Sequence, residues 1–164
     1  MNFGFEIIQV STGKRSTIYT IKIDGEELSE LDKFLTNPEV NKEESKVPLR
    51  RITSDLIEEI PNRGAREYYF EYESSSTNAV CKLKHTQLRL YCLRFGKLMV
   101  IAGNGGVKPS NVRKTQDSKE LQEIVNKLIY IEQRILEAQK NGNFQILDNT
   151  GEISQNSKTS FDPI

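Results

Sequence analysis

The sequence predicts an α+β fold, an antiparallel β-meander sheet packed against helices. Three observations carry this. Closely spaced β-type runs fill residues 78–102, a hairpin signature opens the chain, and a long amphipathic helix lies near its end.

Residues Phe5 to Val10 and Thr17 to Ile23 are β-branched and apolar. Ser11-Thr12-Gly13-Lys14-Arg15-Ser16 between them is a turn signal, so the two runs should pair as a hairpin. Asp24 then caps an expected helix, with Glu27 at the capping-box position and Leu28, Leu31, Phe34 and Leu35 as its apolar stripe. Asn37-Pro38 ends it, and the polar stretch from Glu39 to Pro48 reads as a loop. Thr53 or Ser54 caps a short second helix that buries Leu56, Ile57 and Ile60 and stops at Pro61, with a turn at Gly64. Arg66 to Glu73 (REYYFEYE) has strand composition.

Three strands follow: Asn78–Lys84, Leu88–Phe95 and Leu98–Ala102. Their links are too short for parallel crossovers, so they should run antiparallel. Gly103-Asn104-Gly105-Gly106 reads as a flexible loop. Asp117 caps the long helix and Glu120 completes the box. Its apolar positions are Leu121, Ile124, Val125, Leu128, Ile131, Ile135 and Ala138, and Asn141-Gly142 supplies the stop. The polar residues 149–164 read as a flexible tail after a single domain over 1–148.

Composition narrows the function classes. With 164 residues, 36% apolar and 28% charged, the chain is of ordinary globular make-up. No apolar stretch is long enough for a membrane span, and MNFGFEIIQVSTGK lacks a basic start with an apolar run, so a cytoplasmic protein without membrane contact is expected. Cys81 and Cys92 are too few for a disulfide framework, and a single histidine argues against two-histidine metal motifs. No cofactor or metal is expected. The glycines at 103–106 lack the Gly-Lys-Ser/Thr of a phosphate loop, and no Gly-x-Ser-x-Gly elbow occurs.

The formal charge is zero, from 23 basic and 23 acidic side chains, but its distribution is uneven. No acidic residue occurs from Ser74 to Gln116, while Lys82, Lys84, Arg89, Arg94, Lys97, Lys108, Arg113 and Lys114 all fall there. Strand parity sorts them. Ala79, Cys81 and Leu83 with Leu88, Leu90 and Cys92 form one apolar layer, expected to receive the long helix. Lys82, Lys84, Arg89 and Tyr91 then share the opposite face. Like charges so placed repel, and a polyanion relieves that cost. Solvated charges on the wet side of a sheet are the bland alternative. His85, beside Lys84, is a turn residue or an acid–base group near neutral pH.

A helical segment, Gly64, then VCKLKHTQLRLYCLRFGKLMVIAGNGGVK and a further helix resembles the RelE/ParE toxin superfamily, in its phage-derived, HigB-like branch. The resemblance covers about residues 51–140 and leaves residues 1–50 as an N-terminal addition. It rests on element order and on Lys82-Leu83-Lys84 followed by Arg89, the Lys-x-Lys and arginine pattern of ribosome-dependent ribonucleases. The chain departs from the family in its neutral overall charge and in having Pro109-Ser110-Asn111 after Lys108.

The resemblance implies a metal-independent endoribonuclease of a type II toxin–antitoxin system. The ribose 2′-hydroxyl would attack the adjacent phosphate while the 5′-oxygen leaves. Lys82, Lys84, Arg89 and Lys108 would be its catalytic residues: Arg89 as phosphate clamp, the lysines as fixed charge or base, Lys108 or His85 as acid. His85, Tyr91, Lys97, Arg113 and Lys114 would contact RNA, Tyr91 by stacking on a splayed base. Its partners would be mRNA on the ribosome and a helix-turn-helix antitoxin. The alternative is a non-catalytic module of the same fold that binds nucleic acid or an acidic protein.

Overall fold

A computed structural model describes residues 1–73, 79–110 and 118–164. The chain is α+β. Its elements are strands β1 (Phe5–Thr12) and β2 (Thr17–Ile23), and helices α1 (Glu30–Thr36), α2 (Lys46–Ser54) and α3 (Ile60–Arg63). Strands β3 (Glu71–Tyr72), β4 (Val80–His85), β5 (Leu88–Phe95) and β6 (Met99–Val107) follow, then helix α4 (Lys119–Lys140) and strand β7 (Ser160–Phe161). The strands form one sheet in the order β3-β4-β5-β6-β2-β1-β7.

Two apolar cores lie on the two faces of this sheet. On one, α1–α3 contribute Leu31, Phe34, Ile52, Leu56 and Ile60 against Ile18, Cys81, Leu83, Leu88, Leu90 and Cys92. On the other, α4 lays Leu121, Val125, Leu128, Ile131 and Ile135 over Val80, Tyr91, Leu93 and Ile101. The parity of β4 and β5 is therefore as expected, but the partners are exchanged. The Cys81–Leu83 layer receives the earlier helices, not the long one. Strand periodicity is local and fixes which side chains share a face; which helix arrives there is decided by the whole chain path.

The antiparallel run β4-β5-β6 forms as expected. Beyond it the sheet is mixed, because β6 pairs in parallel with β2, from Thr17↔Met99 to Thr20↔Ala102. The helices α1–α3 supply the long crossover such a pairing needs. Residues 1–50 are thus no peripheral addition: β2 lies inside the sheet, between β6 and β1.

Several boundaries differ for identifiable reasons. Ser29, not Asp24, caps α1, its hydroxyl accepting from the Asp32 amide at 3.1 Å. Asp24-Gly25 instead turns the chain out of β2, with Gly25 at φ +82. Residues 43–63 run on through α2, a wide π turn (Asp55–Glu59) and α3 rather than starting at Thr53 or Ser54. Pro61 cannot donate to the Ile57 carbonyl, and Ser11 Oγ donates to it at 3.2 Å. Within REYYFEYE only Glu71–Tyr72 is strand; Glu67–Tyr69 is a 3₁₀ turn.

The glycines of 103–106 are not a loop. They continue β6, with a bulge that sets Gly103 and Asn104 opposite Tyr91. A Cβ on Gly105 would lie 1.9 Å from the Arg89 carbonyl oxygen, so only glycine permits this approach. Ser118 caps α4 through the Leu121 amide; the expected cap Asp117 lies outside the described residues. Gly142, at φ +76, follows the end of α4 as anticipated. The expected flexible tail instead packs: β7 pairs with β1, and Phe161 stacks on Phe5 at 4.7 Å.

Candidate functional site

The β4–β5 hairpin builds the expected cationic site. Its register sets Lys82 opposite Tyr91 and Lys84 opposite Arg89, so all four project from the α4 side of the sheet. Lys108 follows β6, and its amide donates to the Gln87 carbonyl at 2.8 Å. This brings a fourth cation to the same end. The Lys108 amine is lowered from the ordinary lysine value, first by desolvation and then by Arg89, Lys82 and Lys84.

The acid-free stretch does not stand alone. Strand β3 pairs with β4 and sets Glu71 opposite Lys82. Lys82 Nζ lies 2.9 Å from Glu73 Oε1 and 3.7 Å from Glu71 Oε1, and Lys84 Nζ lies 3.6 Å from Glu71 Oε2. Among the described residues two carboxylates on β3 and its end thus meet four cations, while the cleft beside Arg89 adds Lys42, Glu39 and Glu44. Sequence reasoning missed both glutamates. The signal was present: they stand at a two-residue spacing in a strand-like run that ends next to the acid-free window.

Arg89 is buried, 6% exposed. Its Nη1 donates to the Leu88 carbonyl at 3.0 Å and to that of Thr86. Burial lowers its pKa, with Tyr91, Glu71 and Glu73 opposing. An arginine remains charged through such a shift, so Arg89 is a fixed positive charge that also ties the hairpin turn. Beside it a cleft of about 660 Å³ is lined by Arg89, Lys108, Gln87, Ser45, Lys42 and Glu44.

Tyr91, His85 and Lys97 do not join this group. Tyr91 shares the face but is fully buried in the core, which leaves no ring face open to a base. His85 points to the opposite face of the sheet, where Nε2 lies 3.1 Å from Asp55 Oδ2 in the π turn. Lys97 stands in the β5–β6 turn at the far end of the strand, about 20 Å from Arg89 at the usual rise per residue. Arg113 and Lys114 lie outside the described residues.

No protein-family model matches this chain, and comparisons with curated proteins and with solved structures return no significant match. The chemistry must therefore be read from the side chains. Cys81 and Cys92 are free thiols facing one another across β4–β5. Burial pushes the Cys92 thiol up to about 12, and burial and then Cys92 raise Cys81. Neither is a nucleophile near neutral pH. Among the described residues no group of three His, Cys, Asp or Glu side chains is placed to hold a metal ion. No helix among them is long and apolar enough to cross a membrane.

Proposed function

We propose that this chain is a nucleic-acid-binding module that seats phosphates on Lys84 and Lys108 beside the fixed charge of Arg89. The observation that carries this reading is the convergence of four cations on one end of one sheet face against two carboxylates. Lysines supply the point charges, and the buried guanidinium supplies a charge that needs no ordering when the ligand arrives. The bound Glu73 keeps Lys82 in place as a rim charge.

Binding without cleavage is the better reading because the acid–base set is incomplete among the described residues. His85 is on the wrong face, and Arg89 already serves two carbonyls. The ribonuclease reading, with its ribosome and antitoxin, is favoured by one observation. Desolvation, and then Arg89, Lys82 and Lys84, lower the Lys108 amine, the direction that suits a lysine acting in proton transfer.

A labelled 20-nucleotide RNA distinguishes the two. Binding with intact RNA, weakened at least tenfold in Lys84→Ala/Lys108→Ala and falling steeply with salt, supports the module. Fragments ending in 2′,3′-cyclic phosphate, made by the wild type and lost in Lys108→Ala, would transfer the conclusion to the ribonuclease. Binding that ignores both lysines would overturn both readings at this site.

A further inference from the structure

A second cationic surface lies at the opposite end of the sheet, and it joins Arg94 and Lys97 to residues outside the acid-free stretch. The β1–β2 turn contributes Arg15, the end of α3 contributes Arg63, and the 3₁₀ turn after it is preceded by Arg66. Strand β5 adds Arg94 on the α1–α3 side, and the β5–β6 turn adds Lys97. Two clefts, of about 690 and 280 Å³, share Arg66 and Lys97. Glu67 and Asp148 are the carboxylates that line them, and Glu59 pairs with Arg63 at 2.8 Å. Five cations therefore face three acids.

Charge is joined here by exposed aromatic surface. Tyr68 lines the larger cleft and is 70% exposed, with its ring 4.6 Å from that of Tyr69. Tyr72 is 41% exposed, and its hydroxyl accepts from Arg94 Nη1 at 2.7 Å. Arg94 is itself anchored, its Nε donating to the Ala65 carbonyl at 2.7 Å and its guanidinium lying 5.9 Å from the Phe70 ring. The result is a fixed guanidinium, exposed surface cations and an open phenol ring along a groove in which the two clefts meet at Arg66 and Lys97.

We infer that this groove binds single-stranded nucleic acid, with phosphates on Arg66, Lys97 and Arg15 and a base stacked on Tyr68. Open rings beside backbone-tracking cations suit unstacked bases, whereas a duplex keeps its base faces inside. An acidic peptide would satisfy the cations but make no use of the ring. The inference is independent of the reading given to the Lys84–Lys108 end, and the two surfaces are separated by the length of β5.

The test uses the full chain, fluorescein-labelled single-stranded RNA of 20 nucleotides, and a duplex of the same length. Tyr68→Ala should weaken single-strand binding about tenfold, as loss of one stacked base does. Tyr68→Phe should restore binding while removing part of the tyrosine quenching expected of the wild type on binding; the chain has six tyrosines and no tryptophan. Arg66→Ala/Lys97→Ala should reduce the magnitude of the log–log salt slope by about 1.4, two phosphates' worth for a single strand. Unchanged thermal midpoints would assign these losses to the surface, not to the fold. Equal affinity for duplex, full competition by poly-glutamate, or a Tyr68→Ala variant that binds like the wild type would overturn the inference. Loss confined to Lys84→Ala/Lys108→Ala overturns this inference and leaves the earlier reading. Loss confined to the Tyr68 and Arg66/Lys97 variants does the reverse.

Discussion

The two ends of strand β5 both carry positive charge, and they use it differently. At the Arg89 end the cations are drawn into the structure: Arg89 is buried, and Lys82 is held by Glu73 with both side chains about a tenth exposed. At the Lys97 end Arg15, Arg66 and Lys97 stand exposed, Arg66 and Lys97 beside an open tyrosine, and of the exposed arginines Arg63 is paired with Glu59. Equal formal charge in a sequence therefore does not mean equal availability. One end spends much of its charge holding a hairpin; the other presents it.

That contrast can be broken at the backbone first. Gly105→Ala, at the Arg89 end, would set a methyl group 1.9 Å from the Arg89 carbonyl. A loss of about 3 kcal/mol or more in urea unfolding is expected, because β5 and β6 must separate. Gly96→Ala, in the β5–β6 turn at the other end, meets open space at φ +58. Its cost should be about 1 kcal/mol, from backbone conformation alone. Equal losses would show that the two ends are packed alike.

Within the Arg89 end, Lys82→Met should cost about 2 kcal/mol, since it removes the 2.9 Å ion pair to the largely buried Glu73 carboxylate. Adding Glu73→Met should recover most of it. Lys84→Met should change stability by less than about 0.5 kcal/mol, its Glu71 partner being half exposed. Comparable losses for the two lysines would contradict the assigned burial.

The hairpin turns sharpen the comparison further. Thr86, at φ +50, is the non-glycine residue with positive φ among those described, while the opposite turn uses Gly96. A β-branched side chain is strained there, so Thr86→Gly should raise stability by up to about 1 kcal/mol in thermal unfolding. Arg89 and its bond to the Thr86 carbonyl hold the turn in this shape.

The smallest effect concerns the thiols midway along the strand. Cys92 titrates near 12 in the fold against an ordinary value of 9.0. The folded state therefore keeps a proton that the unfolded state releases. Stability is fully present below pH 9 and falls as pH rises toward 12. Cys92→Ser should flatten that decline, and iodoacetamide should label the native chain only as fast as it unfolds.

Much of this was legible in the sequence where the determinants are local. Alternation along β4 and β5 placed Lys82, Lys84, Arg89 and Tyr91 on one face, and the 3.6-residue stripe located α4 from Leu121 to Ala138. What failed depended on distant chain. Glycines 103–106 read as a loop because a loop and a close strand approach both call for glycine, and only Arg89 across the ladder distinguishes them. Tyr91 read as a base platform because nothing near it announces that α4 covers it. The Arg15–Lys97 groove was illegible for the same reason: its five cations come from five separate places along the chain.

The pairing of residues 160–161 with β1 has a consequence for how this molecule behaves in company. An outermost strand left bare offers a row of amides and carbonyls that invites a neighbouring copy to add on and extend the sheet into an aggregate. Here residues 159–161 cover the Phe5–Ile7 end of that border, and the Asn2 side chain clasps the backbone of Ile164 through both its oxygen and its nitrogen. A clipped form lacking this short segment would leave the start of β1 as an open ribbon, ready to stick to its neighbours.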